Sequence, residues 1–190
     1  MPWFWKHGNE LLILFLIPIV GLAFDYFIKK KAAFYTLLVS FLLLIPIFSD
    51  YSYTTPYAFQ ILGLIFGGSL FYFLSTKIKR KAPKVVFAFV LSSLLFSGLG
   101  FFAFMDSMSG YQIVEKKWQI NRYKIEYIID QGFSGRPLMK YEISRYFLVP
   151  ILVEKIDQTV EDDSIKSCII NFPDAKLDFD KCNASIKDVR

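Results

Sequence analysis

The chain has 190 residues, 54% of them apolar and 18% aromatic, with 21 Phe and a mean hydropathy of +0.40. This excludes an ordinary water-soluble domain and a disordered chain, and two Cys are too few for a disulfide-dense scaffold. The formal charge of +5 lies wholly in residues 1–106, which hold nine Lys/Arg against four Asp/Glu, while residues 107–190 hold thirteen of each. The excess therefore concerns membrane topology; the polar half has no basic stripe to follow phosphates, so no nucleic-acid partner is expected.

In chain order, the first elements are four apolar segments near 11–28, 32–48, 57–74 and 85–105, each of the length a bilayer-spanning helix needs. Charges or turn formers bound each one: Glu10, Lys29 to Lys31, Asp50 with Pro56, Lys77 to Lys84, and Asp106. The first and third connectors hold eight Lys/Arg, the second holds none and the N-terminal stretch has only Lys6. The positive-inside bias then places those two connectors in the cytoplasm, and both termini outside it. Residues 1–10 lack the charged start and cleavage site of a signal peptide, so 11–28 reads as a retained span. Trp3, Phe4 and Trp5, with Tyr51, Tyr53 and Tyr57, suit an aromatic belt at the outer interface.

No ionisable residue falls at the middle of a span, where ion coupling or proton relay would need one. Asp25, near the cytoplasmic end, is spaced to pair with Lys29 at i, i+4, and Pro18 and Pro46 read as tolerated kinks. Gly63 and Gly67 put small residues on the third span, as Ser93 and Ser97 do on the fourth. Such faces permit close approach, here first between spans three and four of one chain, and otherwise between copies or with another subunit.

From Tyr111 the hydrophobic period changes to two. Residues 122–128 and 139–144 alternate as half-buried strands, joined by the turn-rich 131–137. Residues 147–153 contain Pro150 and read as an edge strand or bend, 165–172 and 176–181 as short strands, and 151–160 as strand or helix. The expected fold is a membrane all-α four-helix bundle, residues 1–106, followed by a small β-rich (α+β possible) extracytoplasmic domain, residues 107–190.

Such a small domain is marginal alone, and Cys168 with Cys182 offers a stabilising disulfide in an oxidising compartment. Thirteen residues separate the two, with no Cys-x-x-Cys spacing, which favours a structural bridge over a redox centre. The single His7, the absence of a Gly-x-Ser-x-Gly elbow and the absence of a phosphate-cradling loop point away from hydrolase and nucleotide chemistry. The acidic runs Glu161 to Asp163 and Asp174, Asp178, Asp180 lack a calcium-loop spacing, so neither metal nor cofactor is expected. Asn183-Ala-Ser185 is a glycosylation sequon that matters only in a eukaryotic host.

The expected role is a non-enzymatic integral membrane protein, by default in a bacterial inner membrane with a periplasmic domain that engages a protein partner. An accessory or assembly subunit of an envelope complex fits, as does an immunity protein against a membrane-directed toxin. The loop carrying Phe133, Ser134 and Arg136, with the open strand edges, is the expected contact. Alternatives are a thiol–disulfide oxidoreductase using Cys168 and Cys182, and a small channel or lipid transporter.

Overall fold

A computed structural model describes residues 7–49, 51–108, 111–131, 137–147, 151–160 and 167–188. The chain divides into two units, one of Met1–Phe48 with Pro56–Ser109, the other of Ser49–Thr55 with Gly110–Arg190.

The first unit is helical. Helix α1 runs over Gly8–Phe27, with a 3-10 stretch at Leu12–Leu16 followed by regular helix at Ile17–Phe27. The change falls at Pro18, whose ring leaves no N–H for the Leu14 carbonyl. Helix α2 spans Lys30–Leu44 and closes in a 3-10 turn at Ile45–Phe48, where Pro46 sits. Helices α3, Ala58–Ser75, and α4, Lys81–Met108, follow. Helices α1, α3 and α4 are long and apolar enough to cross a membrane; α2 has 15 α-helical residues and falls short of that length.

Two polar contacts tie α1 to α4. At one end Asn9 Nδ2 donates to Asp106 at 2.9 Å, and at the other Lys84 Nζ reaches Asp25 at 2.7 Å. The two helices are therefore antiparallel. Asp25 takes Lys84 rather than the Lys29 that helical spacing suggests, because α1 ends at Phe27 and Lys29 already stands in extended backbone as the cap of α2. Glu10 accepts from Gln60 at 2.7 Å and lies 3.0 Å from His7, so the buried Gln60, 4% exposed, has its partner.

The glycines of α3 pack on α1. A Cβ on Gly63 would lie 3.1 Å from Leu14, one on Gly67 2.6 Å from Ile17, and one on Gly68 2.7 Å from Val20. Close approach of α1 and α3 depends on these missing side chains. This corrects the expected pairing of spans three and four: the small face of α3 meets span one, and Ser93 and Ser97 of α4 are exposed, their hydroxyls donating to the Phe89 and Ser93 carbonyls.

The second unit is two antiparallel sheets. The larger has strand order β1-β5-β4-β3-β2, formed by β1 Tyr51–Tyr53, β2 Tyr111–Ile120, β3 Tyr123–Gln131, β4 Leu138–Tyr146 and β5 Leu152–Val160. The smaller is a meander of β6 Ile169–Phe172, β7 Leu177–Asp180 and β8 Ser185–Asp188. Residues 152–160 are thus strand, and the helix allowed there by spacing is not formed. β5 pairs along β4 with a register shift after Ile143, so its apolar residues are not evenly alternating.

Strand β1 comes from the connector between α2 and α3. Ser52 is registered with Val153, and the Tyr51 ring meets Phe147 edge-on at 6.0 Å. Tyr51 and Tyr53 are therefore residues of a sheet strand, where an aromatic belt was expected. The core lies between the sheets, where Ile125, Tyr141 and Ile143 pack with Ile170, Phe172, Leu177 and Phe179.

Candidate functional site

The two faces of the larger sheet differ in chemistry because strand side chains alternate. One face carries charge. Glu126 and Glu142 are directly opposed across β3 and β4, a repulsive pairing by itself. Lysines offset it: Lys124 lies 2.8 Å and Lys117 3.4 Å from Glu126, while Lys140 and Lys155 each lie 2.9 Å from Glu142. Burial pushes the Glu142 carboxyl up, but its hydrogen bonds to Lys140 and Lys155 and their charges outweigh that and hold it below its ordinary value of 4.5. Lys140 is only 6% exposed and lies at the covered centre of this charge-compensated network, while Lys117 and Lys155 stand at its exposed margin.

The opposite face packs on the meander and ends in a cleft beside β2. A bulge between Val114 and Lys116 shifts the register, so that Lys116 faces Tyr127 and Trp118 faces Ile125. Without that extra residue Trp118 would point to the charged face. With it, the Trp118 ring meets Phe179 edge-on at 5.1 Å and lies 6.3 Å from Tyr141, which in turn lies 4.7 Å from Tyr127. Lys181 Nζ stands 5.8 Å from the Tyr141 ring centre, within cation–π range. Trp118, Tyr127, Tyr141 and Lys181, with Glu115 and Lys116, line a cavity of about 420 Å³. Two lysines and one glutamate border the Trp118 and Tyr127 rings, with the Tyr141 ring, only 3% exposed, beneath Lys181, a largely polar lining that suits a side chain with acidic neighbours.

Strand β2 is the last strand in its sheet order, so the cleft opens beside a sheet edge. Its residues Glu115, Lys116 and Lys117 are exposed, as charged edge residues usually are.

Asp157 is buried at 7% exposure on the core face, and accepts the backbone N–H of Asp174 at 2.8 Å and Ala175 at 3.3 Å. It fixes the β6–β7 turn, and Thr159 adds a bond to the Asn171 carbonyl at 2.8 Å. This acid is structural.

Cys168 and Cys182 form a disulfide with a Cα–Cα distance of 5.5 Å, joining the approach to β6 with the β7–β8 turn. Lys181 N–H donates to the Cys168 carbonyl at 2.8 Å alongside it, and both cysteines are exposed. Asp180 stands nearby, held below the usual carboxylate range chiefly by hydrogen bonds from the Asn183 side chain and backbone, and also by that from Cys182 N–H. Ligand atoms of Cys168, Asp180 and Cys182 lie within 4.8 Å of one another, but both sulfurs are committed to the bond and the carboxylate caps the turn. Asp178 accepts from Asn171 at 2.7 Å. Phe133, Ser134 and Arg136 lie outside the described residues.

The cleft residues Trp118, Tyr127, Tyr141, Lys116 and Lys181 were not singled out by the sequence reading. Their signal is a change of parity: apolar positions are odd at 111 and 113 and even at 118 and 120, with Glu115 at the break. No family model, curated protein or solved structure matches this chain.

Proposed function

We propose that the chain is a four-span membrane protein whose β-rich domain lies outside the cytoplasm and binds a protein partner along β2, with a partner side chain seated in the aromatic cleft. The observation that carries the binding role is the cleft itself, of about 420 Å³, opening beside an edge strand. An extended segment added to β2 gains main-chain hydrogen bonds, and Trp118, Tyr127 and Tyr141 supply a pocket for one of its side chains. Assembly of an envelope complex and immunity to a membrane-directed toxin are both roles of this kind.

Support for the fourth span comes from connectivity. Asn9 with Asp106, and Asp25 with Lys84, make α1 antiparallel to α4, so Phe27 lies at the end of the bundle where α4 begins. The Ser49–Thr55 connector pairs as β1 with β5 of the β-rich unit, which follows α4 in the sequence. The chain between Phe27 and that connector is α2 with its closing 3-10 turn, read here as the fourth span. Its 15 α-helical residues rise ~22 Å and the 3-10 turn adds ~8 Å, together about the thickness of a hydrocarbon core. Large apolar side chains such as Phe34, Phe41, Phe89, Leu94 and Phe104 are exposed on α2 and α4, which suits lipid and not water. The eight basic residues of the first and third connectors favour a cytoplasmic side for that end, and the disulfide suits an oxidising space for the β-rich unit.

The test is a photoreactive residue in place of Glu115, in native membranes. It forms a discrete protein adduct that Lys116→Glu with Lys181→Glu diminishes, while the domain's thermal transition stays in place. An adduct indifferent to both charge reversals refutes the cleft as the contact. A second reading, thiol–disulfide exchange, is favoured by the exposure of both cysteines, and a mixed disulfide trapped with a partner would carry it.

A further inference from the structure

Between α2 and α3 lies a groove of about 390 Å³. Tyr35, Val39 and Leu43 form one wall, at i, i+4 and i+8, and Leu62 and Ile65 form the other. Thr36 and Ser40 sit among them, but neither hydroxyl is offered to the groove: Thr36 donates to Ala32 at 2.9 Å and Ser40 to Thr36 at 2.7 Å, both carbonyls of their own helix. Apart from the Tyr35 hydroxyl at one end, the lining is apolar or has its hydroxyls engaged, so it favours an apolar occupant.

From Tyr35 to Leu43 the groove rises ~12 Å, close to the ~15 Å of one leaflet's hydrocarbon. Its lower end is one helical turn above Lys31, which shares the Tyr35 face, and Lys29 and Lys30 adjoin it. The third connector adds Lys77, Lys79, Arg80 and Lys81 at the same end of the bundle. Against this run stands Asp25, already taken by Lys84.

We infer that this groove seats one acyl chain of an anionic phospholipid from the cytoplasmic leaflet, with the lipid phosphate at Lys31. The inference rests on the four-span reading above. Apolar walls hold the chain, and the unpaired excess of lysines selects the headgroup, a lysine near the surface favouring an anionic lipid about fivefold.

The experiment uses the full chain reconstituted in vesicles with spin-labelled phosphatidylglycerol or phosphatidylcholine, the motionally restricted fraction being the readout. Phosphatidylglycerol is expected to be restricted about fivefold more strongly. Lys31→Gln should lower that ratio toward one, and Val39→Trp, which fills the groove from an exposed position, should remove restricted lipid of both kinds. Equal restriction of the two lipids by the unaltered chain, or an undiminished signal from Val39→Trp, overturns the site. Labelling of Lys29→Cys with an impermeant maleimide separates the two claims. Reaction from the outer side fells the cytoplasmic placement of this end, on which the lipid assignment rests, while cytoplasmic reaction without lipid preference fells the groove alone.

Discussion

Asp25 and Lys84 meet at 2.7 Å although 59 residues apart, joining the last turn of α1 to the first turn of α4. The lysine is largely covered and the carboxylate partly so, which makes the pair stronger than an exposed one and screens it less from its partner than from salt. A double-mutant cycle with Asp25→Asn and Lys84→Gln should return a coupling of about 1 kcal/mol in a reversible unfolding assay. Strict additivity would mean that the pair contributes nothing to holding α1 against α4.

The glycine face of α3 should be sensitive and the serine face of α4 tolerant. Gly67→Val forces a branched side chain into Ile17 and should cost about 1–3 kcal/mol. Ser93→Ala and Ser97→Ala, on exposed positions, should each stay within about 0.5 kcal/mol. Unfolding by detergent titration reads both, and a reversed order of sensitivity would place the tight helix contact on α4.

Replacing Cys168 and Cys182 by Ser should destabilise the β-rich unit by about 3 kcal/mol, as expected for a loop of this size. The meander needs it: β6, β7 and β8 have four residues each, and Phe172, Leu177 and Phe179 supply much of their share of the core. A reduction potential below about −300 mV agrees with a structural bridge. A milder value, with mixed disulfides trapped in membranes, would support the exchange reading.

Acid should loosen the charged face of the larger sheet. Glu142 has a folded-state pKa below its ordinary value, so the unfolded chain binds its proton more readily than the folded one. The stability it contributes is fully present above 4.5, and is lost as pH falls from there through the lower folded value. Chemical denaturation measured between pH 6 and pH 3 should show this decline, and Glu142→Gln should flatten it. An equally steep profile in the variant would assign the acid sensitivity elsewhere.

The helical unit is legible in the sequence where long apolar runs are bounded by charges, and three of the expected spans, α1, α3 and α4, are helices of spanning length. What that reading lacks is helix partnership: Asp25 has a nearby Lys29 and a distant Lys84, and only the fold brings the second within reach. The β-rich unit is less legible. Residues 122–128 and 139–144 alternate plainly, and β3 and β4 form there. Residues 152–160 do not, because the irregular register beside Ile156 imposes a helix-like spacing of apolar residues. Strand β1 is three residues long and pairs with a segment about a hundred residues away, so local pattern gives no hint of it. The cleft depends on one bulge in β2, visible as a parity break but meaningful only once Tyr127 and Tyr141 are known to be neighbours.

The sidedness of the two ends of α2 tests the account most directly. Single cysteines at Lys29 and Thr54, and a third at Lys187 in the β-rich unit, are exposed to an impermeant maleimide in sealed vesicles of known orientation. Thr54→Cys and Lys187→Cys should react from the outer side and Lys29→Cys only from the cytoplasmic side. Reaction of Lys29→Cys and Thr54→Cys from the same side would mean that α2 does not cross, and the four-span architecture would be wrong.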